Sequence, residues 1–536
     1  MQTIIPESLT ILMAQINVTV GAIETNTSRI IEIIESHQLT HDIIVFPELV
    51  ITGYPPEDLL LRPEFYQRVQ SALDLIQSYV TQCHVVIGHP FREQQRLYNA
   101  ASVFYQKSCL IRYFKQHLPN YGVFDEQRYF QSGPIKPTII PIKNHQVSIC
   151  ICEDIWRPGP VEQIIKAHAQ VLLCLNASPF EVKKPQEREN ILQNYAKQGL
   201  FIAYVNLVGG QDELVFDGQS LAYNSQGHLI ARAAAFTEHL QTINTTTTRP
   251  ENITLPLSPD GLIYHALCCG LRDYVHKNNF SGVLLGLSGG IDSALTLAIA
   301  VDALGPANVH AVMMPSRYTA TISHDDAIEQ LKILQVHFTN LSIEPTFKTL
   351  LETLQQAWGN APADVTEENL QARIRGVLLM ALSNKTGKLV ISTSNKSETA
   401  VGYATLYGDM CGGFSVLKDV LKTQVYALAH YRNTISRIIP ERVINRPPSA
   451  ELAYHQTDQD SLPDYTVLDA IITLYMENKF SAEQITACVC EPSAVHKTVK
   501  LIQQNEYKRK QSAPGVKISP CAFGRDWRYP ITYEKR

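Results

Sequence analysis

The stretch GLSGGIDSA (286–294) constrains this chain more than any other, because an apolar strand candidate, VLLGL (283–287), leads into it and an apolar helix candidate, ALTLAIAVDAL (294–304), leads out. Three glycines and two serines within 286–293 let backbone N–H groups approach a phosphate chain closely. The following helix adds the positive end of its dipole. Asp292 would repel bare phosphate, so its expected partner is Mg²⁺ bridging to phosphate oxygens. A Walker loop reads GxxxxGK[ST]. This loop has no lysine, which disfavours γ-phosphoryl transfer. A glycine-rich turn that binds nothing is the bland alternative, and the strand–loop–helix context argues against it.

The rest of the chain supplies the setting. At roughly 100–200 residues per domain, 536 residues predict two to four domains. With 45% hydrophobic and 18% charged residues, disordered, collagenous and coiled-coil classes are excluded. A net charge of −5 argues against a dedicated nucleic-acid or membrane-surface partner. The start, MQTIIPESLTILMAQ, has no basic n-region and is not read as a signal peptide, and no apolar run reaches the ~18 residues of a membrane helix. Eleven cysteines, with two CxC pairs and no CxxC, fit neither a disulfide framework nor a zinc ribbon. A reduced, cytoplasmic enzyme is expected.

Residues 1–245 alternate strand candidates (9–18, 41–49, 84–90, 146–152, 171–178 and 201–210) with helices expected at 26–38 and 186–199 and a hairpin over 218–233. Residues 246–262, rich in Thr and Pro, read as a linker. From 263 to 536 a regular βαβ rhythm predicts an α/β domain with a doubly wound parallel sheet and ligands at the carboxyl ends of its strands.

SGGIDS resembles the pyrophosphatase loop of the N-type ATP pyrophosphatases, which cleave ATP between the α- and β-phosphates and adenylate an oxygen. The segments 369–384, 391–398, 402–429, 447–452 and 506–515, in that order, are similar to NAD synthetases over most of 260–520. The resemblance implies a Rossmann-like ATP pyrophosphatase domain. It implies ATP contacts from Gly286, Leu287, Ser288, Gly289, Gly290, Ile291, Asp292, Ser293 and Thr393, and deamido-NAD contacts from Asn369, Glu398 and Lys508. Asp292 and Glu398 would supply the carboxylates of a Mg²⁺ site, with Lys422 and Arg373 as weaker phosphate contacts.

The front half carries parts for amide hydrolysis, which needs a nucleophile, a base and a group to hold the developing oxyanion. Glu48 lies in FPELVITGYPPEDL, Lys115 precedes the loop LPNYGVFDEQ, and Cys150 and Cys152 lie in SICICEDIW. Strand parity puts Ser148, Cys150 and Cys152 on one face, so alternation does not choose a thiol. Position favours Cys152, which leads straight into Glu153 and Asp154 where the strand breaks. These motifs resemble the nitrilase superfamily, with its four-layer αββα sandwich. By that resemblance Glu48 is the general base, Lys115 steadies the tetrahedral intermediate and Cys152 forms a thioester. The glutaminase branch suggests glutamine contacts from Tyr121, Ser178 and Lys184. Separately, Glu126 is a candidate accessory carboxylate. Cys150 receives no role.

Together the resemblances imply that ammonia released from glutamine displaces AMP from an adenylated nicotinate carboxylate. Substrates would be deamido-NAD, ATP and glutamine, and a homo-oligomer is expected from the synthetase resemblance. Two alternatives are an adenylating enzyme acting on tRNA, which needs a basic groove this acidic chain lacks, and a catalytically retired nucleotide sensor.

Overall fold

The computed structural model describes residues 7–250, 253–359, 361–454 and 456–534; residues 251 and 252 of the expected linker and both chain ends lie outside them. The chain divides into two compact units, Met1–Leu257 and Ser258–Arg536. The second opens on the helix Pro259–Lys277, where Ser258 Oγ accepts from Gly261 N at 3.1 Å, so the last residues of 246–262 are already helical.

In the first unit, alternation along the strands sorts side chains into three apolar layers. Leu12 and Ala14 of the strand Thr10–Gln15 join one buried cluster, while Ile11 and Met13 join another. Val85 and Ile87 part from Val86 in the same way along His84–Glu93. In the strand Val171–Asn176, Val171, Leu173 and Leu175 enter the shared cluster, and Leu172 and Cys174 a third. A period of two puts successive side chains on opposite faces, so the shared cluster is the filling between two sheets. Helices Ile23–His37 and Pro63–Tyr79 cover the first sheet through Ile30, Ile34, Leu73 and Ile76. Pro160–Lys166 and Lys184–Ala196 cover the second through Val161, Ile164 and Leu192. This is the expected αββα sandwich.

Each sheet has six strands. The first runs in the order His239–Asn244, Thr10–Gln15, Ile43–Val45, His84–Glu93, Arg96–Tyr105 and Ser108–Phe114. The second runs Leu229–Arg232, Leu221–Tyr223, Phe201–Asn206, Val171–Asn176, His145–Ile151 and Ile139–Ile142. The hairpin expected over 218–233 forms, with Gly227 N donating to Asn224 O at 2.9 Å.

One expectation is corrected here. The strand read over 146–152 ends at Ile151, and Cys152 opens the short 3₁₀ turn Cys152–Ile155 with a φ of 42°. Parity therefore stops one residue early. Cys150 packs in the outer helical layer, and Cys152 joins the cluster between the sheets.

The second unit is built on a fully parallel five-stranded sheet, ordered His337–Asn340, Val309–Met313, Val283–Gly286, Leu389–Ser392 and Phe414–Ser415. The chain winds outward from Val283–Gly286 to one edge, then returns to its other side. The strand order reverses at that strand, so the crevice for a ligand opens at the carboxyl ends beside it. Leu287–Gly290 and Thr393 both follow strands flanking this switch point.

Candidate active sites

In the first unit, a chain of buried side chains converges between the sheets. The backbone carrying Glu48 lies hard against Gly88, where an added Cβ would sit 2.6 Å from Leu49 N and Pro47 O. Lys115 directly follows the strand Ser108–Phe114, its N–H donating to Asn99 O at 2.9 Å. Its Nζ donates to Glu48 Oε1 at 2.7 Å and to Glu126 Oε1 at 2.8 Å. Tyr54 also donates to Glu126 Oε1, Asn99 Nδ2 donates to Glu48 Oε1, and Ala177 N donates to Glu48 Oε2. Glu48, Lys115, Glu126 and Cys152 are at most 6% exposed.

Electrostatics set the resting protonation. Burial alone would strip the proton from Lys115, but Glu126 and Glu48 hold its pKa well above the usual lysine range. Burial pushes Glu126 up to about 7, against the pull of Lys115. Burial, then the Glu48 charge, pushes the Cys152 thiol well up, and Lys115 opposes them. Cys152 thus rests as a thiol that feels both the Glu48 and the Lys115 charge.

The turn that starts at Cys152 also carries its supports. Asp154, fully buried, accepts from Ile151 N, Gln116 N, His117 N and Tyr113 OH at 2.8–3.1 Å, tying the Cys152 turn to the segment bearing Lys115. Tyr121 OH donates to Glu153, which also pairs with Arg157 at 2.7 Å. Lys184 Nζ stands 5.0 Å from the Trp156 ring. Ser178 N donates to Asn206 Oδ1 at 3.0 Å. Tyr121 and Lys184 are thus brought to residues of the Cys152 turn, and Ser178 directly follows Ala177, whose N–H holds Glu48.

In the second unit, the loop 286–293 is braced from within and from outside. Ser293 Oγ donates to Gly290 O at 3.0 Å and accepts from Ser288 N. Gly289, at a φ of 82°, lies so close to Ser323 O that a Cβ would stand 2.1 Å from it. Arg446 donates to both Gly289 O and Ser323 Oγ at 2.9 Å. Asp292, in the first turn of the helix Ile291–Leu304, accepts from Asn395 Nδ2 at 2.9 Å and pairs with Lys422 Nζ at 2.5 Å. Lys422 Nζ also lies 3.1 Å from Glu398 Oε1. Asn369 and Lys508 meet at the turn after the helix Lys396–Val401, which carries Glu398. Asn369 Oδ1 accepts from Thr405 Oγ1 at 2.7 Å, and Lys508 Nζ donates to Gly402 O and Ala404 O at 2.8 Å. Arg373 Nε donates to Leu406 O at 3.2 Å on the same turn.

Two family models cover the chain in this same order: carbon-nitrogen hydrolase over residues 10–249 and NAD synthase over 263–512. A glutamine-dependent NAD(+) synthetase of Xanthomonas campestris pv. campestris is 48% identical over 98% of this chain and 97% of its own length. One from Acinetobacter baylyi is 49% identical over 98% of both chains. The chain belongs to the glutamine-dependent NAD(+) synthetase family. A solved synthetase of this family from Acinetobacter baumannii, in complex with ADP, matches with a TM-score of 0.80 at 45% identity over 98% of both chains.

For a member of this family the sequence reading omits several buried partners. Asn99 donates to Glu48, Tyr54 to Glu126, and Asp154 accepts from Ile151 N beside Cys152, while Asn395, Asp458 and Tyr465 surround Asp292 and Lys422. Asn99 meets Glu48 across 51 positions and Asn395 meets Asp292 across 103, so no local spacing signals them.

Proposed function

We propose that the protein amidates deamido-NAD to NAD⁺, with nitrogen from glutamine and ATP cleaved to AMP and diphosphate. The observation that carries this reading is the buried Lys115 bridge between Glu48 and Glu126, acting on Cys152, in a chain whose other unit carries the 286–293 loop at its switch point.

In the glutaminase reaction, Glu48 takes the Cys152 proton as Sγ attacks the glutamine amide carbon. Lys115 steadies the oxyanion of the tetrahedral intermediate, which collapses to a γ-glutamyl thioester and ammonia; water then releases glutamate. Glu126 is the accessory carboxylate that keeps Lys115 charged and aimed. Tyr121, Ser178 and Lys184 are assigned to glutamine binding, and Glu153 is a carboxylate suited to its α-ammonium. In the synthetase reaction, residues 286–293 and Thr393 hold ATP, and Asn369, Glu398 and Lys508 hold deamido-NAD.

The residues present fit Mg²⁺. Asp292 and Glu398 both reach one cationic nitrogen, Lys422 Nζ, so their oxygens already face a common point. Asp292 and Glu398 are the two carboxylates that would hold it. Mg²⁺ is held in this manner, by one or two carboxylates completed by phosphate oxygens and water. When bound it neutralises phosphate charge. Lys422 then stands beside the phosphates as a second cation.

No described helix is long and apolar enough to cross a membrane. Eleven free cysteines favour a reducing cytoplasm.

Replacing Cys152 by Ala tests the assignment. Glutamine-dependent synthesis should fall by at least about 10³-fold while synthesis from free ammonia persists. Loss of both activities would contradict the assigned role.

A further inference from the structure

We propose that Asn99 is both a positioning and a selectivity residue of the glutaminase site: its amide nitrogen holds the general base, and its amide oxygen accepts from the N–H groups of the scissile amide. The inference rests on the glutaminase reading above and goes beyond it in naming what distinguishes an amide from other γ-glutamyl compounds.

Asn99 lies in the strand Arg96–Tyr105, fully buried, between the carriers of the base and the cation. Its carbonyl oxygen accepts from Lys115 N at 2.9 Å, extending the antiparallel register in which Ala100 faces Phe114. Its Nδ2 donates to Glu48 Oε1 at 2.7 Å, the same oxygen that receives Lys115 Nζ. This contact fixes the orientation of the amide. Turned over, Oδ1 would face a carboxylate oxygen, two acceptors with no proton between them. Oδ1 is thereby left without a donor among the described residues, and so is Glu126 Oε2 at the far side of the Lys115 bridge. A buried acceptor left unsatisfied is costly, and native sites rarely keep one without a use.

The reaction itself supplies the missing donors. A primary amide brings two N–H bonds to the carbon that Cys152 attacks, and the departing ammonia carries three. As the Sγ–carbon bond forms and the carbon–nitrogen bond breaks, the thiol proton held by Glu48 leaves with that nitrogen. A γ-methyl ester gives the same γ-glutamyl thioester and loses methanol, yet has no N–H to offer. Asn99 Oδ1 therefore stabilises amide cleavage and does nothing for the ester.

The test compares glutamine with glutamate γ-methyl ester on the full-length protein, before and after Asn99→Leu, which keeps the size and removes both polar atoms. Loss of the contact to Glu48 should lower kcat/KM for glutamine about a hundredfold, with the larger share in kcat. Loss of Oδ1 should lower the amide-to-ester ratio of kcat/KM a further tenfold or so, the scale of one neutral hydrogen bond. Should Asn99→Leu fail to fold, Asn99→Ser must show the same fall in the ratio. An unchanged ratio, with both substrates slowed equally, would overturn the inference alone. Failure of the unmodified protein to hydrolyse either substrate would overturn the glutaminase reading and the inference with it.

Discussion

At the scale of single residues, the first unit turns on who holds the proton. Burial raises Glu126 to about 7, and in its charged form it is the second anionic partner of Lys115 beside Glu48. As pH falls through about 7, Glu126 takes a proton and Lys115 loses one of its two anionic partners. Glutamine hydrolysis should therefore show an acid limb near pH 7 that Glu126→Gln removes, measured as kcat/KM for glutamine against pH. The sign for stability is opposite. The folded pKa lies above the ordinary 4.5, so this group favours folding at low pH, and that contribution is lost as pH rises through about 7. The three residues of the expected triad were singled out because each sits in a short motif, and Lys115 does pair with Glu48 at 2.7 Å. The choice between Cys150 and Cys152 was legible only from position, since the φ of 42° that turns Cys152 out of the strand's alternation leaves no mark in spacing.

At the scale of elements, the alternating strands announced the layers, and the regular βαβ rhythm announced the parallel sheet. Several strands were missed, among them Ser108–Phe114, where only Tyr113 is buried, the polar His337–Asn340 at a sheet edge, and Arg96–Tyr105, whose nearly continuous burial gives no alternation. What spacing did not reveal is how closely elements approach. Gly88 gives way to the Glu48 loop, and Gly289 to Ser323. Two substitutions separate the units. Gly88→Ala should cost about 1–3 kcal/mol in thermal unfolding and abolish glutamine use, with ammonia-dependent synthesis retained. Gly289→Ala, strained by both contact and φ, should abolish synthesis from either nitrogen source while glutaminase turnover persists. Equal loss of both activities in both variants would contradict the separation of roles.

At the scale of the whole molecule, the two units matter because each prepares what the other needs. On the proposed reading, thioester formation in one liberates nitrogen, and adenylation in the other makes a carboxylate receptive to it. Free ammonia at neutral pH is mostly ammonium, which is not nucleophilic, so nitrogen passed within the protein should outcompete nitrogen from solution. The direct measurement is turnover of deamido-NAD and ATP with amide-¹⁵N glutamine in the presence of excess unlabelled ammonium, followed by mass spectrometry of the NAD⁺ and assay of the phosphate products. The account predicts ¹⁵N-labelled NAD⁺ formed together with AMP and diphosphate. Unlabelled NAD⁺, or ADP and phosphate in place of AMP and diphosphate, would contradict it.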